Sequence, residues 1–291
     1  MDRMFTRQIV GSVATYPARF DRLHEMVASV APQLDHLVIY VNGTTDGLPD
    51  MSDMANVHIL DGRDYAGDLS ARGKVYPLKF MHDCEVFTLD DDFVYPADYV
   101  ARNLATLRQF QGACVVTTHG GILPVHVDWY YDRTAVLASV EAVDHLQICA
   151  VAGSGTLCFD QRHLALNLPD LLAETMVDLR ISLAARGAGL PIFVLPRQAG
   201  WLQSFGLDGL WHDFKDAGLT PHTYVAREYN WGFDIYADIV RHAFAKAGIT
   251  PDHAGLDPEL TACLKSGDIP SIWRASVLTM RKRADYLGLF S

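Results

Sequence analysis

Asp90, Asp91 and Asp92 stand in a row directly after the apolar run Phe87-Thr88-Leu89, and Phe93-Val94-Tyr95-Pro96 follow at once. Three adjacent carboxylates at a strand end repel one another, and a fold bears that cost only where protons or a cation relieve it. Oxygen ligands of this kind favour Mg²⁺ or Mn²⁺, and a site with few protein carboxylates leaves coordination positions for water and substrate phosphates. In an extended backbone Asp90 and Asp92 face one side and Asp91 the other, which makes Asp90 and Asp92 the expected metal pair. A cation held there against a diphosphate would neutralise the charge that develops on a leaving group as a glycosidic carbon–oxygen bond breaks. The competing reading is a solvated acidic turn. Placement just beyond a buried strand, where α/β sheets bind ligands, favours chemistry.

The elements that must position this triplet are legible as hydrophobic patterns. Residues 8–14 read as a buried strand, 18–32 as an amphipathic helix, and 36–41 as a second buried strand that breaks at Asn42-Gly43. A loop over 44–55 leads to a short strand at 57–60. The charged, glycine-containing stretch 61–77 has no hydrophobic period and reads as an ordered surface loop near the ligand, with a helix expected around 78–83. After the triplet come a helix over 96–110, a strand 114–121 ending in glycines, an aromatic segment 127–132, and two short strands around the glycine turn of 148–159. A helical region 168–187 and a last strand 190–197 complete the series. Strands alternating with helices predict an α/β fold with a mixed, mainly parallel, Rossmann-like sheet.

With 49% apolar and 20% charged residues in 291, the chain can bury a large core. The net charge of -11 argues against a broad nucleic-acid surface, which needs clustered Lys and Arg. Five cysteines with no CxxC pair suit neither a zinc knuckle nor a disulfide framework, so a cytoplasmic setting is expected. No apolar run approaches a membrane-spanning length and the N-terminus lacks a signal-sequence pattern.

The run FTLDDDFVYPADYV resembles the metal-binding strand of bacterial A-type (GT-A fold) glycosyltransferases, which pair a hydrophobic strand with a D-x-D motif. The similarity extends to VATYPARFDRL and the following VNG, to THGG at 118–121, to AGSGT at 152–156, and to MVDLRISLAARGAGLPIFVLPR, and so covers roughly residues 8–202. It implies a metal-dependent transferase that moves a sugar from a UDP- or GDP-linked donor to a saccharide or other acceptor, in surface polysaccharide synthesis.

By that resemblance the first strand and its loop hold the nucleotide, through Ala14, Thr15, Tyr16 and Arg19, with Asp68, Arg72 and Lys74 completing the donor site beside Asp90 and Asp91. For Tyr16 and Arg19 the alternative is an ordinary helix start with a surface arginine. An inverting enzyme of this type needs a general base for the acceptor hydroxyl, and Asp178, on a helix beyond a glycine-rich loop, fits, with Glu174 in reserve. Either is equally compatible with a helix-surface carboxylate. Gly153, Gly155 and Thr156 would let backbone approach a sugar, unless they form a plain turn. His119 belongs either to the acceptor pocket or to the buried framework. A late histidine often completes the metal shell of such enzymes, and His212, or else His222, is available.

Beyond residue 205 the resemblance fades. The segment 206–291 is expected to complete the active site of one domain whose core is 1–205, with helices near 232–247 and 270–288. Arg274, Arg281, Lys282 and Arg283 alternate with apolar residues at the end, a pattern suited either to peripheral contact with an anionic membrane or to a closing helix packed on the domain. Two other readings of the acidic cluster are a nucleotidyltransferase or phosphohydrolase and an inactive nucleotide- or carbohydrate-binding module. A glycine-rich phosphate loop or a nucleophilic Asp motif, either of which would favour the former, is absent from the sequence.

Overall fold

The structure is a computed structural model that describes residues 8–173, 176–206 and 220–274. Strands β1 (Ile9–Thr15), β2 (His36–Val41), β3 (Val57–Asp61) and β4 (Glu85–Leu89) lie parallel in the order β3-β2-β1-β4. Every residue of β4 is buried, as expected for an interior strand covered on both faces. Helix α1 (Phe20–Val30) follows β1 and buries Phe20, Leu23, Met26, Val27 and Val30, the apolar stripe that its sequence period predicts.

Beyond the acidic triplet the chain forms β5 (Phe93–Val94), α2 (Tyr99–Gln109), β6 (Val115–Thr117), β7 (Gly120–Ile122), β8 (Ala135–Leu137), β9 (Gln147–Ile148), β10 (Val151–Ala152) and β11 (Thr156–Asp160). It continues through α3 (Leu168–Ala173), α4 (Val177–Gly187), β12 (Ile192–Val194) and β13 (Gln203–Ser204). The large sheet has the order β3-β2-β1-β4-β11-β6-β12-β9, with β11 antiparallel to β4 and β6. A second sheet, β10-β7-β8, stands apart, and β13 pairs with β5. The result is the expected α/β class, a mixed and mainly parallel sheet flanked by helices.

Among the described residues of the C-terminal part lie three helices, Pro221–Arg227, Phe233–Ala247 and Pro258–Ser266. Their residues Ala226, Phe233, Val240 and Leu260 join the hydrophobic cluster that also contains Val13, Phe87 and Leu107. Phe110 and Phe244 meet edge to face with ring centroids 5.1 Å apart. No helix among the described residues is long and apolar enough to cross a membrane.

Several local expectations are corrected. The surface loop expected over 61–77 holds only for its first part, where 63–68 are exposed: 3-10 turns span Gly62–Asp64 and Ser70–Phe80, Gly73 through Leu78 are buried, and no α-helix forms over 78–83. A 3-10 string has no 3.6-residue period, so its apolar residues left no helical signal. The strand expected over 114–121 breaks at Thr118-His119 into β6 and β7, which belong to different sheets, and 148–159 holds parts of three strands rather than two. The helical region 168–187 is two helices, separated before Val177. At the C-terminal end, Ser271–Trp273 is a 3-10 turn, and the remainder of the helix expected over 270–288, with Arg281, Lys282 and Arg283, lies outside the described residues.

Asn42, which the sequence marks only as a strand break, is buried and ties three segments together. Its amide nitrogen donates to the carbonyls of Thr15 (3.3 Å) and Ser70 (3.1 Å), and its oxygen accepts from the Leu69 amide (2.8 Å). Replacing it by alanine leaves buried backbone groups unpaired, so Asn42→Ala is expected to lower unfolding stability by about 2 kcal/mol. Denaturant titration checks this, and an unchanged midpoint would remove Asn42 as the tie between β1 and the 3-10 segment.

Candidate active site

The carboxyl ends of β1 and β4 open onto one edge of the sheet, and the chain turns sharply there. Asp90 leaves β4 with its amide donating to the Gly155 carbonyl (3.1 Å), while the Tyr95 hydroxyl donates to the carbonyls of Asp90 (3.0 Å) and Gly155 (3.1 Å). Asp91 and Asp92 form a turn into β5 instead of continuing extended, so the expected alternation of faces does not hold. The three carboxylates act on one another, and two cations answer them.

Lys74, buried within the 3-10 string, places its ammonium against Asp90 Oδ1. Burial alone would lower the pKa of that ammonium, but Asp90, then Asp178 and Asp91, outweigh it and hold the group above the ordinary lysine range. Arg19, at the foot of α1, is buried beside Tyr16, whose hydroxyl accepts from its Nε (3.3 Å), and its charge acts on Asp91 and Asp92. Desolvation, followed by the Asp90 and Asp91 charges, pushes Asp92 up to about 6, and desolvation likewise raises Asp91.

Asp91 Oδ2 and Asp92 Oδ1 are buried with no hydrogen-bond partner among the described residues. Unpaired carboxylate oxygens suit a hard divalent cation such as Mg²⁺ or Mn²⁺. Among the described residues no group of three His, Cys, Asp or Glu side chains forms a cage, so an ion here would draw the rest of its shell from phosphate and water.

Across this edge, the turn Gly153-Ser154-Gly155 brings Asp178 to the site. Asp178, in the first turn of α4, accepts the Ser154 amide on Oδ1 (2.9 Å), and Oδ2 has no hydrogen-bond partner among the described residues. Both glycines are dictated by close approach: a Cβ on Gly155 would lie 1.8 Å from Asp90 Oδ2, and one on Gly153 2.7 Å from the His119 ring. His119 is half-buried at the break between β6 and β7. Desolvation lowers its pKa against the opposing pull of Asp178.

Other residues named from the sequence have different surroundings. Thr15 is buried at the end of β1, and Ala14 beside it packs near Gly73, while Tyr16 is 39% exposed at the rim. The Thr156 hydroxyl is engaged by Thr117 Oγ1 (2.9 Å) and the Thr118 amide (3.3 Å), inside the framework. Arg72 donates to the carbonyls of Leu69 (3.0 Å) and Leu172 (2.5 Å), and Asp68 is an exposed turn residue that accepts the Ser70 amide (2.8 Å). His222 is buried against Tyr130, with ring centroids 5.1 Å apart. His212 and Glu174 lie outside the described residues. Tyr95 and Ser154 were not anticipated. The Tyr-Pro after the triplet was the signal for Tyr95, whereas Ser154 acts through its backbone and leaves no side-chain signature.

No family model and no curated protein matches this chain. Among solved structures it is similar to residues 1–349 of TarS from S. aureus, at 14% identity and a TM-score of 0.47 over 82% of this chain and 72% of that one. The same protein in complex with UDP-GlcNAc is similar at 11% identity and 0.45, over 97% and 80%. Glucosyl-3-phosphoglycerate synthase from Mycobacterium tuberculosis, in complex with Mn²⁺, UDP-glucose and phosphoglyceric acid, is similar at 12% and 0.42, over 84% and 80%.

The raised pKa of Asp92 has a thermodynamic consequence. Its folded value lies above the unfolded one, so its contribution to stability falls as pH rises from about 4 to about 6 and stays unfavourable above that. In divalent-free buffer Asp92→Asn is therefore expected to stabilise the protein by about 1–2 kcal/mol at pH 7.5 and by almost nothing at pH 4. Thermal unfolding at the two pH values checks this; a variant less stable than wild type at pH 7.5 would overturn it.

Proposed function

We propose that this chain is a glycosyltransferase that uses a divalent metal and moves a sugar from a nucleoside-diphosphate donor to an acceptor hydroxyl, with inversion at the anomeric carbon. The observation that carries the reading is the placement of Asp178, across a two-glycine turn, opposite a desolvated carboxylate cluster at the carboxyl edge of the sheet. One face is thereby furnished for a cation and phosphates, and the facing side for a proton acceptor.

In this scheme Asp91 and Asp92, through their unpartnered buried oxygens, and Asp90, through the oxygen that Lys74 leaves, would hold Mn²⁺ or Mg²⁺, which when bound supplies positive charge to the leaving diphosphate. Lys74 fixes Asp90, and Arg19 offsets Asp91 and Asp92, so the cluster keeps its shape while the ligand changes charge. Tyr16 at the rim is available to stack on the base, with Ala14 and Thr15 beneath it. The Ser154 amide holds one oxygen of Asp178 and leaves Oδ2 to accept the hydroxyl proton as the acceptor oxygen bonds to the anomeric carbon. The bond from that carbon to the phosphate oxygen breaks, and its electron pair departs with the nucleoside diphosphate. A single displacement of this kind inverts configuration. Within the same reading the donor is UDP- or GDP-linked and the acceptor is a glycan of a surface polysaccharide.

Calorimetric titration with UDP and GDP, each with and without Mn²⁺, tests the donor half: one nucleotide is expected to bind wild type with Mn²⁺, and Asp92→Ala to lose that binding. Binding of neither would sink the donor assignment. Asp178→Asn tests the other half: it is expected to keep nucleotide binding while product release from the cognate nucleotide sugar falls by about 10²–10⁴-fold, the range of a lost general base. An Asp178→Asn protein that turns over normally would remove Asp178 from the chemistry.

A further inference from the structure

The loop 123–134 joins β7 to β8 and carries Arg133, a cation for which the scheme above has no use. Its guanidinium has two close neighbours, the Tyr130 ring and the Gly121 backbone. On one side its Cζ stands 4.0 Å from the centre of the Tyr130 ring, and Tyr130 is itself 3% exposed. On the other it lies over the backbone of Gly121, where a Cβ would come within 3.3 Å of Nε and 3.6 Å of Cζ. A side chain at residue 121 would crowd the guanidinium.

Its Nη1 is buried and has no hydrogen-bond partner among the described residues, and no carboxylate among them forms an ion pair with Arg133. Beyond its hydrogen bond with the Tyr130 hydroxyl, the half-buried guanidinium keeps a buried nitrogen that lacks an acceptor, which is costly and which an oxyanion would relieve. Its fork of donors matches the oxygens of phosphate or carboxylate. Position points to the side from which an acceptor would come. Arg133 acts electrostatically on His119, and both His119 and Tyr130 feel the charge of Asp178. The donor carboxylates Asp90 and Asp92 are served instead by Lys74 and Arg19.

We infer that Arg133, held against Tyr130 and Gly121, binds an oxyanion of the acceptor, so that the acceptor carries a phosphate or carboxylate group near the hydroxyl that is glycosylated. The inference rests on the transferase reading for the word acceptor, but the anion site itself does not. A subsite of this kind selects a charged acceptor over a neutral sugar and orients it before transfer.

The test is calorimetric titration of the full chain with inorganic phosphate and, separately, with acetate, in EDTA so that no metal bridges the anion to the aspartates. Wild type is expected to bind one of the two at millimolar concentration, the preferred one reporting phosphate or carboxylate. Arg133→Gln is expected to weaken that binding by about tenfold or more, and Arg133→Lys, which keeps the charge and loses the fork, by less. Circular dichroism and thermal unfolding establish that each variant is folded. UDP and GDP with Mn²⁺ should bind both variants as they bind wild type. Anion binding that is absent in wild type, or unchanged in Arg133→Gln, overturns the inference. So does parallel loss of anion and nucleotide binding in a folded Arg133→Gln protein, which would place Arg133 on the donor side. Absence of nucleotide binding in wild type would instead strike the transferase reading while leaving the anion result interpretable.

Discussion

A buried ammonium needs a fixed counter-charge, and much of the candidate site follows from the one that Lys74 finds in Asp90. Lys74 is carried on a 3-10 string packed under the ends of β1 and β2, so its reach is set by that segment's contacts, including those of Asn42. Asp90 must then stand where the ammonium is, and the backbone around it is closed by the Tyr95 hydroxyl and the Gly155 carbonyl. Gly155 in turn fixes the turn whose Ser154 amide holds Asp178. From the ion pair outward, each contact limits the freedom of the next, and residues distant in sequence are brought to one edge without any of them contributing more than a few atoms.

The same arrangement explains why a charge-rich cluster is tolerated. Three aspartates in a turn would repel strongly in isolation. Here Lys74 and Arg19 are both buried close by, so the site is a compact set of opposed charges with a residual acidic excess. A residual excess matches an ion that comes and goes with its ligand better than one bound permanently by a full protein shell.

How far the sequence discloses this depends on the length scale of each feature. Strands β1, β2 and β4 were legible because continuous apolar runs of that length have few other uses, and the triplet was legible because unrelieved like charge is rare at the end of such a run. The 3-10 string was misread because lysine and arginine in an aperiodic stretch look like solvent-facing loop, whereas Lys74 is buried against a partner that lies beyond the next strand. Two-residue strands such as β5, β10 and β13 are shorter than any pattern can register. The meeting of Asp178 with the triplet could be expected only from resemblance, since α4 and β4 are joined through the direction of β11, a property of topology. The loop holding Arg133 has no period of its own, and the importance of Gly121 is apparent only once the guanidinium is seen above it.

At the break between β6 and β7 the chain leaves the large sheet for the small one, and it returns to the large sheet at β9, β11 and β12. Within the eight-stranded sheet the long parallel pairings of β1 with β2 and β4, and of β2 with β3, fix the register, and a slip in any of them would turn core residues outward. The small sheet β10-β7-β8 is pinned by a few pairings of short strands, and the long segment between β7 and β8 has its ends anchored there. That segment is tied into the core, since Leu123, Val127 and Tyr130 are buried in the main hydrophobic cluster, but it adds no strand to the large sheet, so changes at its exposed positions leave that sheet's register alone. The molecule thus has a segment in which some positions are bound to the core and others are not, and only the second kind can vary without disturbing the strand pairings beside it.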